Sequence, residues 1–289
     1  MNTTKTILLA GGVALAVSLM VGGLPNAKIA GSNNQLAAAI SSVGGGEIRV
    51  GYIPYPPEAL IKDPNTGTLS GICHDVIEEA GKNLGIKINW SEETTYATMI
   101  EGLKAGRYDL VACVWSNSER AKNADFTVPI FYNAVGAYAR AGNSRFTNLN
   151  NINNKNVTIA TIDGEASAYI AKTKFPNAKT ISLPQDTQVS QVLLDVKTGK
   201  ADITFADTSV ADDFLAQNPG SIHAVAPNNP VAVFPTTFIL AQNQQVFKTA
   251  FNTAIEELID NGTVGAIVHK YQKYSDSIYP VAKPYSPPQ

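Results

Sequence analysis

A strand–helix alternation that runs twice along the chain limits its fold more than any other feature. In the first copy, Ile48-Arg49-Val50-Gly51-Tyr52-Ile53 reads as a strand that stops at Pro54-Tyr55-Pro56-Pro57. The prolines fix a stiff loop and hold Tyr55 in place. Asp63-Pro64-Asn65-Thr66-Gly67 marks a hairpin turn, and a helix over Val76–Leu84 follows, capped by Asp75 and closed by Gly85. Ile86–Trp90 alternates as a second strand, and Thr95–Ala105 is an amphipathic helix. Tyr108–Trp115 is an apolar run short enough for a strand covered on both faces. A further strand, Ala134–Ala139, precedes an Asn-rich piece, Thr147–Asn156. The second copy then reads strand Val157–Ile162, helix to Lys174, short strand Ile181–Leu183, helix Thr187–Thr198 capped by Asp186, and strand Asp202–Ala206. Its last helix runs to about Gln217, and the chain is loop-rich from Pro219 to Pro235. A strand, Thr237–Ala241, and helices Gln244–Asp260 and Val264–Tyr274 complete the pattern.

Each β-α-β-α-β unit implies parallel strands with helices on both faces. Two units, Glu47–Ala139 and Asn156–Pro235, make two α/β lobes. The closing strand and helices have no third sheet to join, so they pack back on the first lobe. The chain then crosses between lobes twice, near Ala139–Arg140 and near Leu240–Gln242. Paired crossings make a hinge around a cleft. The expected limits are 47–139 with 241–275 for lobe 1, 140–240 for lobe 2, and 276–289 for a Pro-rich tail that frays.

Composition narrows the function. The chain has 289 residues, 44% hydrophobic and 16% charged, with a formal charge of −2. That balance suits a globular protein and argues against a nucleic-acid partner. No Cys/His spacing fits a metal site, and no cofactor is expected. Near the N-terminus Lys5 is followed by an apolar run, Ile7–Leu24. Residues 1–30 therefore read as a signal peptide or an N-terminal membrane anchor; removal and retention both fit. Residues 31–46, rich in Ala, Ser, Asn and Gly, read as a flexible spacer.

The stretch Gly106–Tyr132, GRYDLVACVWSNSERAKNADFTVPIFY, holds the first candidate site. Its strand breaks at Ser116-Asn117-Ser118, and Arg120 follows. In open α/β sheets ligands sit beyond the carboxyl ends of strands. A turn there offers backbone N–H groups, and Arg120 a planar two-pronged donor, a combination suited to a carboxylate. Taken alone, a surface arginine is the commoner reading. Gly164, at a strand-to-helix turn, lets the backbone approach a ligand closely. Asp207 stands at the carboxyl end of a second-lobe strand, where an N-cap role is the simplest alternative.

The segments IRVGYIPYPPE, GICHDVIEEAGKNLG, YATMIEGLKAGRYDLVAC, NSERAKNADFTVPIFY, VTIATIDGEAS, VKTGKADITFADTSVADDF and FNTAIEELIDNGTVGAIVHKY, in this order, resemble the bacterial extracellular solute-binding proteins of the polar amino acid ABC transport type, family 3. The resemblance spans about Glu47 to Tyr274. It implies a type II periplasmic-binding-protein fold and an amino acid closed between two lobes. It implies that Arg120 holds the ligand's α-carboxylate, with the backbone of Asn117 beside it, and that Asp207 holds the α-ammonium. It further implies Tyr96 and Tyr55 as aromatic walls, and backbone donors at Gly164, Glu165 and Ala166.

A zwitterion needs a cation and an anion about 5–7 Å apart, one per lobe, so that binding energy closes the cleft. Three departures from the family pattern bear on the ligand. Cys113 and Trp115 stand where small hydroxyl residues are usual, Glu165 where Thr is usual, and Glu58 where Phe is frequent. Two acids and a Trp near one cleft suggest a cationic or amine-bearing ligand, or an atypical amino acid, unless Glu58 and Glu165 point to solvent. By the family pattern Cys73 and Cys113 both fall near the cleft. Two buried free thiols are expected, with a disulfide as the alternative; a Cα separation beyond about 7 Å excludes a bond. Arg120 is expected near the cleft and outside the core. The resulting expectation is a non-catalytic, exported, monomeric binding protein that presents a small solute to an ABC permease in the membrane. A dehydratase on the same fold, acting on cyclohexadienyl acids with Glu165 as general acid, and a ligand-sensing domain are the alternatives.

Overall fold

The computed structural model describes residues 46–275 and 277–281. The expected targeting segment, nearly all of the expected spacer and most of the expected tail lie outside the described residues. The first sheet is built from β1 (Glu47–Tyr52), β4 (Lys87–Glu93) and β5 (Leu110–Trp115), all parallel, in the order β4-β1-β5. A small hairpin of β2 (Ile61–Lys62) and β3 (Leu69–Ser70) precedes α1 (Ile72–Leu84), and α2 (Met99–Lys104) precedes β5. The second sheet holds β8 (Thr158–Ile162), β9 (Lys179–Leu183) and β10 (Ile203–Asp207) in parallel, in the order β10-β8-β9. Its helices are α3 (Ala166–Lys174), α4 (Ser190–Thr198) and α5 (Thr208–Gln217).

Two long strands run through both sheets. These are β7 (Phe131–Arg140), preceded by the short β6 (Asp125–Phe126), and β12 (Ala232–Leu240), preceded by the short β11 (Ile222–Ala224). β12 pairs antiparallel with β5 through Thr236–Leu240 and with β7 through Ala232–Thr236; β7 then pairs antiparallel with β10. The two sheets therefore form one continuous ladder, β4-β1-β5-β12-β7-β10-β8-β9. α6 (Gln245–Asp260) and α7 (Thr263–Tyr271) close the fold on lobe 1, where Phe247, Phe251, Ile255 and Val264 join the core of Val50, Ile72, Val76 and Leu110. This is the return to the first lobe that the leftover strand and helices require.

The period-two rule of strands explains the layers. In β10, Ile203 and Phe205 face one cluster with Ile159, Ile170 and Phe175, while Ala206 faces another with Ile162, Leu193 and Val210. Phe131 belongs to the first-lobe core and Val135 to the second, as do Phe238 and Val231 respectively. The core thus changes within the strands, ahead of Ala139–Arg140 and Leu240–Gln242, where the sequence suggests crossings. A strand long enough to serve both sheets needs no loop between them.

Several element limits differ from expectation. α1 starts at Ile72 rather than Val76, because Gly71, at φ 110°, turns the chain into the helix. A Cβ there would lie 2.9 Å from the Ala59 carbonyl oxygen. Asp75, freed from capping, accepts from Lys270 Nζ (2.8 Å) and the Tyr271 hydroxyl (2.9 Å), joining α1 to α7. α4 starts at Ser190 with Val189 as its cap, so Asp186 does not cap it. Much of the expected loop before Pro235 is strand. Pro235 is tolerated in β12, opposite Tyr132, since its carbonyl still accepts from Ser116 N. Part of the tail is ordered too: β13 (Ile278–Pro280) pairs antiparallel with Phe131–Asn133 of β7, with Ser277 and Ile278 buried.

Cys73 and Cys113 form a disulfide with Cα atoms 5.8 Å apart, in place of the free thiols expected. The cause is a β-bulge. Val111 pairs with Ile239 and Val114 with Thr237, so Ala112 and Cys113 together oppose Phe238. Cys113 takes φ 58° there and turns toward α1. The bond ties α1 to the central strand of lobe 1 across 40 residues of chain. Reduction, or Cys73→Ala with Cys113→Ala, is expected to lower unfolding free energy by about 2–4 kcal/mol. Urea unfolding with and without reductant checks it; unchanged midpoints would show that the bond contributes nothing.

Candidate functional site

The bulge also aims Trp115. Leu110 and Ala112 face the α1 side of β5, while Val111 and Val114 face the α2 side. Without the extra residue, Trp115 would follow Val111. With it, Cys113 and Trp115 share the face that opens into the cleft, and both line a small cavity between the lobes. That cavity, of about 40 Å³, brings together Tyr55, Tyr96, Cys113, Trp115, Glu165, Ala166 and Asp207 of the residues the sequence singled out. It adds four that sequence reasoning missed: Ala59, Asn133, Phe234 and Thr236.

Tyr55 is fixed by a two-way backbone pairing with Leu60, 2.7 Å and 3.2 Å, which folds the Pro-rich loop back on itself. Asp207 ends β10 and precedes α5, yet its side chain makes no capping bond. Its carboxylate is buried and accepts instead from the Asn133 amide, with the Tyr55 ring beside it in the cavity wall. Asn133 is held in turn by the Thr236 hydroxyl, which donates to its Oδ1 at 2.8 Å. Phe234 stacks on Trp115 with ring centroids 4.5 Å apart. The absence of a polar signature hides Phe234 in the sequence, and Asn133 and Thr236 sit in strands whose partners are set only by the fold.

Glu165 does not point to solvent. It is buried as the N-cap of α3, accepting from Ser167 N (2.7 Å) and Ser167 Oγ (2.6 Å). Glu58 is buried too, but away from the cavity. It accepts from the backbone of Lys273 (2.6 Å) and Tyr274 (3.2 Å) and from Ser277, anchoring the chain beyond α7.

Arg120 sits on a short 3-10 turn, Arg120–Lys122, held by Asn117, whose Oδ1 accepts from Arg120 N at 2.7 Å. It is only 8% exposed, so it is part of the interior rather than a peripheral side chain. Its Nη1 donates to the Trp115 carbonyl (2.9 Å) and its Nη2 to the Gly164 carbonyl of the other lobe (2.8 Å). The guanidinium lies 4.1 Å from the Trp115 ring centroid, a cation–π contact. Arg120, Asn117 and Gly164 line an outer opening of about 340 Å³, separated from the inner cavity by Trp115, Tyr96 and Glu165. Gly164 has φ 76°, and a Cβ on it would stand 3.1 Å from the Tyr96 Cβ, so glycine lets the lobes touch here.

Electrostatics sharpen the picture. Burial raises the Asp207 carboxyl to about 7, and the nearby Glu165 charge adds to the rise; Asn133 and Tyr55 oppose it. Burial also raises Glu165, against its bonds to Ser167. Burial lowers Arg120 to about 10, although Glu165 favours its charged form. Among the described residues, no lysine or arginine makes an ion pair with Asp207 or Glu165, and no His/Cys/Asp/Glu group could hold a metal ion.

Two α/β lobes joined by two shared strands and closed over a buried cleft define a type II periplasmic binding protein. Comparison with known proteins narrows the class. Residues 48–274 match the bacterial extracellular solute-binding proteins, family 3, and the chain belongs to that family. A probable histidine-binding protein of Campylobacter jejuni subsp. jejuni is 27% identical over 230 residues, covering 78% of this chain and 84% of that protein. The ABC transporter arginine-binding protein 1 of Escherichia coli is 24% identical over 230 residues, 78% of this chain and 87% of that one. An ancestral arginine-binding protein solved with arginine bound has the same fold, with a TM-score of 0.67 at 24% identity, covering 78% of this chain and 98% of that one.

The raised Asp207 carboxyl has a cost. Its folded-state value lies above the ordinary 3.8, so its contribution to stability is full below about 4 and is lost as pH rises through about 7. Asp207→Asn is therefore expected to stabilise the unliganded protein at pH 8, by of the order of a few kcal/mol, and to change little at pH 4. Thermal unfolding at both pH values tests this; equal shifts at pH 4 and 8 would exclude titration of Asp207 as the cause.

Proposed function

We propose that the protein is the extracytoplasmic substrate-binding component of an ABC importer, closing on an amino acid or similar small zwitterionic or cationic solute. It acts as an exported, non-catalytic monomer that hands its solute to a permease in the membrane. Membership of the solute-binding family supports the transport role. The buried Asp207 carboxylate carries the ligand reading: its hydrogen-bond partner is the Asn133 amide, not a cation. A buried carboxylate without a cation is unfavourable unless an ammonium completes it. The histidine- and arginine-binding names of two relatives fit a solute of this kind.

The hinge belongs to the same proposal. Lobe 1 would comprise the β4-β1-β5 sheet with α1, α2, α6 and α7, and lobe 2 the β10-β8-β9 sheet with α3–α5. Bending would fall in β7 near Asn133 and in β12 near Pro235, where the core changes from one lobe to the other. A dehydratase role for Glu165 is less well supported, since one of its oxygens takes both bonds from Ser167 and serves the helix terminus.

Tyr55 and Glu165 share the cavity wall with Asp207 among titratable groups, with Tyr96 and Tyr138 nearby and the Glu58 charge acting from farther off. A cationic solute binds its ionised form, so at low pH a proton must leave first. Affinity should rise with pH up to about 7 and level off above it, falling about tenfold per unit below the turning point. Asp207→Asn should weaken binding at least a hundredfold, about 3 kcal/mol, and flatten the profile. Calorimetric titration from pH 5 to 9 measures both. Unchanged affinity in Asp207→Asn would place the ammonium elsewhere.

A further inference from the structure

We infer that the solute taken into the inner cavity is an organic amine that carries no carboxylate there, the decarboxylated counterpart of a cationic amino acid. This rests on the reading of the cleft as the solute site and specifies the ligand's chemistry. The lining of the inner cavity contains two carboxylates, Glu165 and Asp207, and no lysine or arginine. A carboxylate placed among them would meet two like charges in a buried site, while Arg120, which acts on Glu165, lines the outer opening instead. An ammonium would meet two carboxylates and the faces of Tyr55, Tyr96, Trp115 and Phe234.

Arg120 does not change this balance. Two of its donors already satisfy the Trp115 and Gly164 carbonyls, and one face is covered by the indole. Trp115 itself stands between the guanidinium and the cavity. The carboxylate of an amino acid whose ammonium sits on Asp207 would have to displace the indole or part the two lobes to reach it. In this structure Arg120 works as a tie between lobes, holding Gly164 of the second lobe to Trp115 of the first.

The cavity has room for two or three water-sized spheres at about 40 Å³, enough for an ammonium and its adjoining carbons. The remainder of a longer amine has a path. A wider opening of about 430 Å³ shares Tyr55 and Tyr96 with the inner cavity, and its lining carries Glu93, Asp186 and Asp213 with no lysine or arginine. Asp213 is engaged by Lys273 and by the Tyr274 hydroxyl, and Glu93 by Lys62, which leaves Asp186 as the acid of this lining for a second ammonium. A diamine would therefore meet carboxylates at both ends, Asp207 and Glu165 inside and Asp186 outside, whereas an amino acid adds a carboxylate beside the inner pair.

Matched pairs test the inference by calorimetric titration at pH 8: lysine against 1,5-diaminopentane, arginine against agmatine, and histidine against histamine. In at least one pair the amine should bind ten times more tightly than its amino acid, and Asp207→Asn should abolish that binding. Trp115→Ser combined with Glu165→Gln should move the preference at least tenfold toward the amino acid, since it removes the indole screen and one negative charge. If the amino acid of every pair binds as tightly as its amine, or more tightly, and Asp207→Asn abolishes that binding, this inference fails and the cleft reading stands. If neither member of any pair binds, both fail together.

Discussion

The ladder between β7 and β12 is the constraint on which the rest depends. Phe234 pairs with Asn133, Pro235 with Tyr132 and Thr236 with Phe131, at the place where the core passes from one lobe to the other. Backbone bonds here join two sheets that would otherwise be separate. The same residues hold Asn133 through the Thr236 hydroxyl and present its amide to Asp207, so the crossing also orients the carboxylate proposed for the ligand. β13 adds a third strand at Phe131–Asn133 and reaches it from the segment anchored on Glu58. Bending at the crossing and positioning of Asp207 are thus not independent motions.

The cleft is built from groups that oppose stability. Asp207 and Glu165 are both buried and both raised toward neutrality, and Arg120 is lowered by the same burial. Around them the protein spends structural features that elsewhere would be avoidable, including a left-handed Cys113 and a glycine at the lobe contact. The disulfide holds the strained strand to α1 from behind, and the two lobe cores flank the site without entering it. Uncompensated charge in a dry site is tolerable when a bound solute of opposite charge repays it, which makes the site selective for what the protein itself lacks.

Much of this was legible in the sequence because it is local. Apolar alternation and glycine stops mark the strands and helices of both lobes, and the ordered segments carry the family resemblance. The misses share a different cause. The bulge at Cys113 depends on the register of β12 against β5, which is set across more than a hundred residues of chain. Whether Cys113 pairs with Cys73 follows from that bulge. Asn133, Phe234 and Thr236 belong to the site only because two distant strands pair at one point. Pro235 argued against a strand, yet it occupies a position where only its carbonyl is used. Glu58 and Glu165 looked like cleft acids because of their positions in motifs; one is an anchor for the C-terminal segment and the other a helix cap as well as a cavity wall.

One residue of bulge then has consequences for chemistry. It puts the Trp115 indole between Arg120 and the cavity, and it supplies the flat face against which the guanidinium packs. An arginine with free donors facing a cleft is a carboxylate receptor. The same arginine, capped by an indole and bonded to a carbonyl from each lobe, favours the closed arrangement of the lobes and leaves the cavity acidic. The motif that carries Arg120 is unchanged between those two cases. What differs is the side chain five positions before it and the register that turns it inward, so under the proposed reading the charge of the ligand would be set by strand geometry as much as by the arginine.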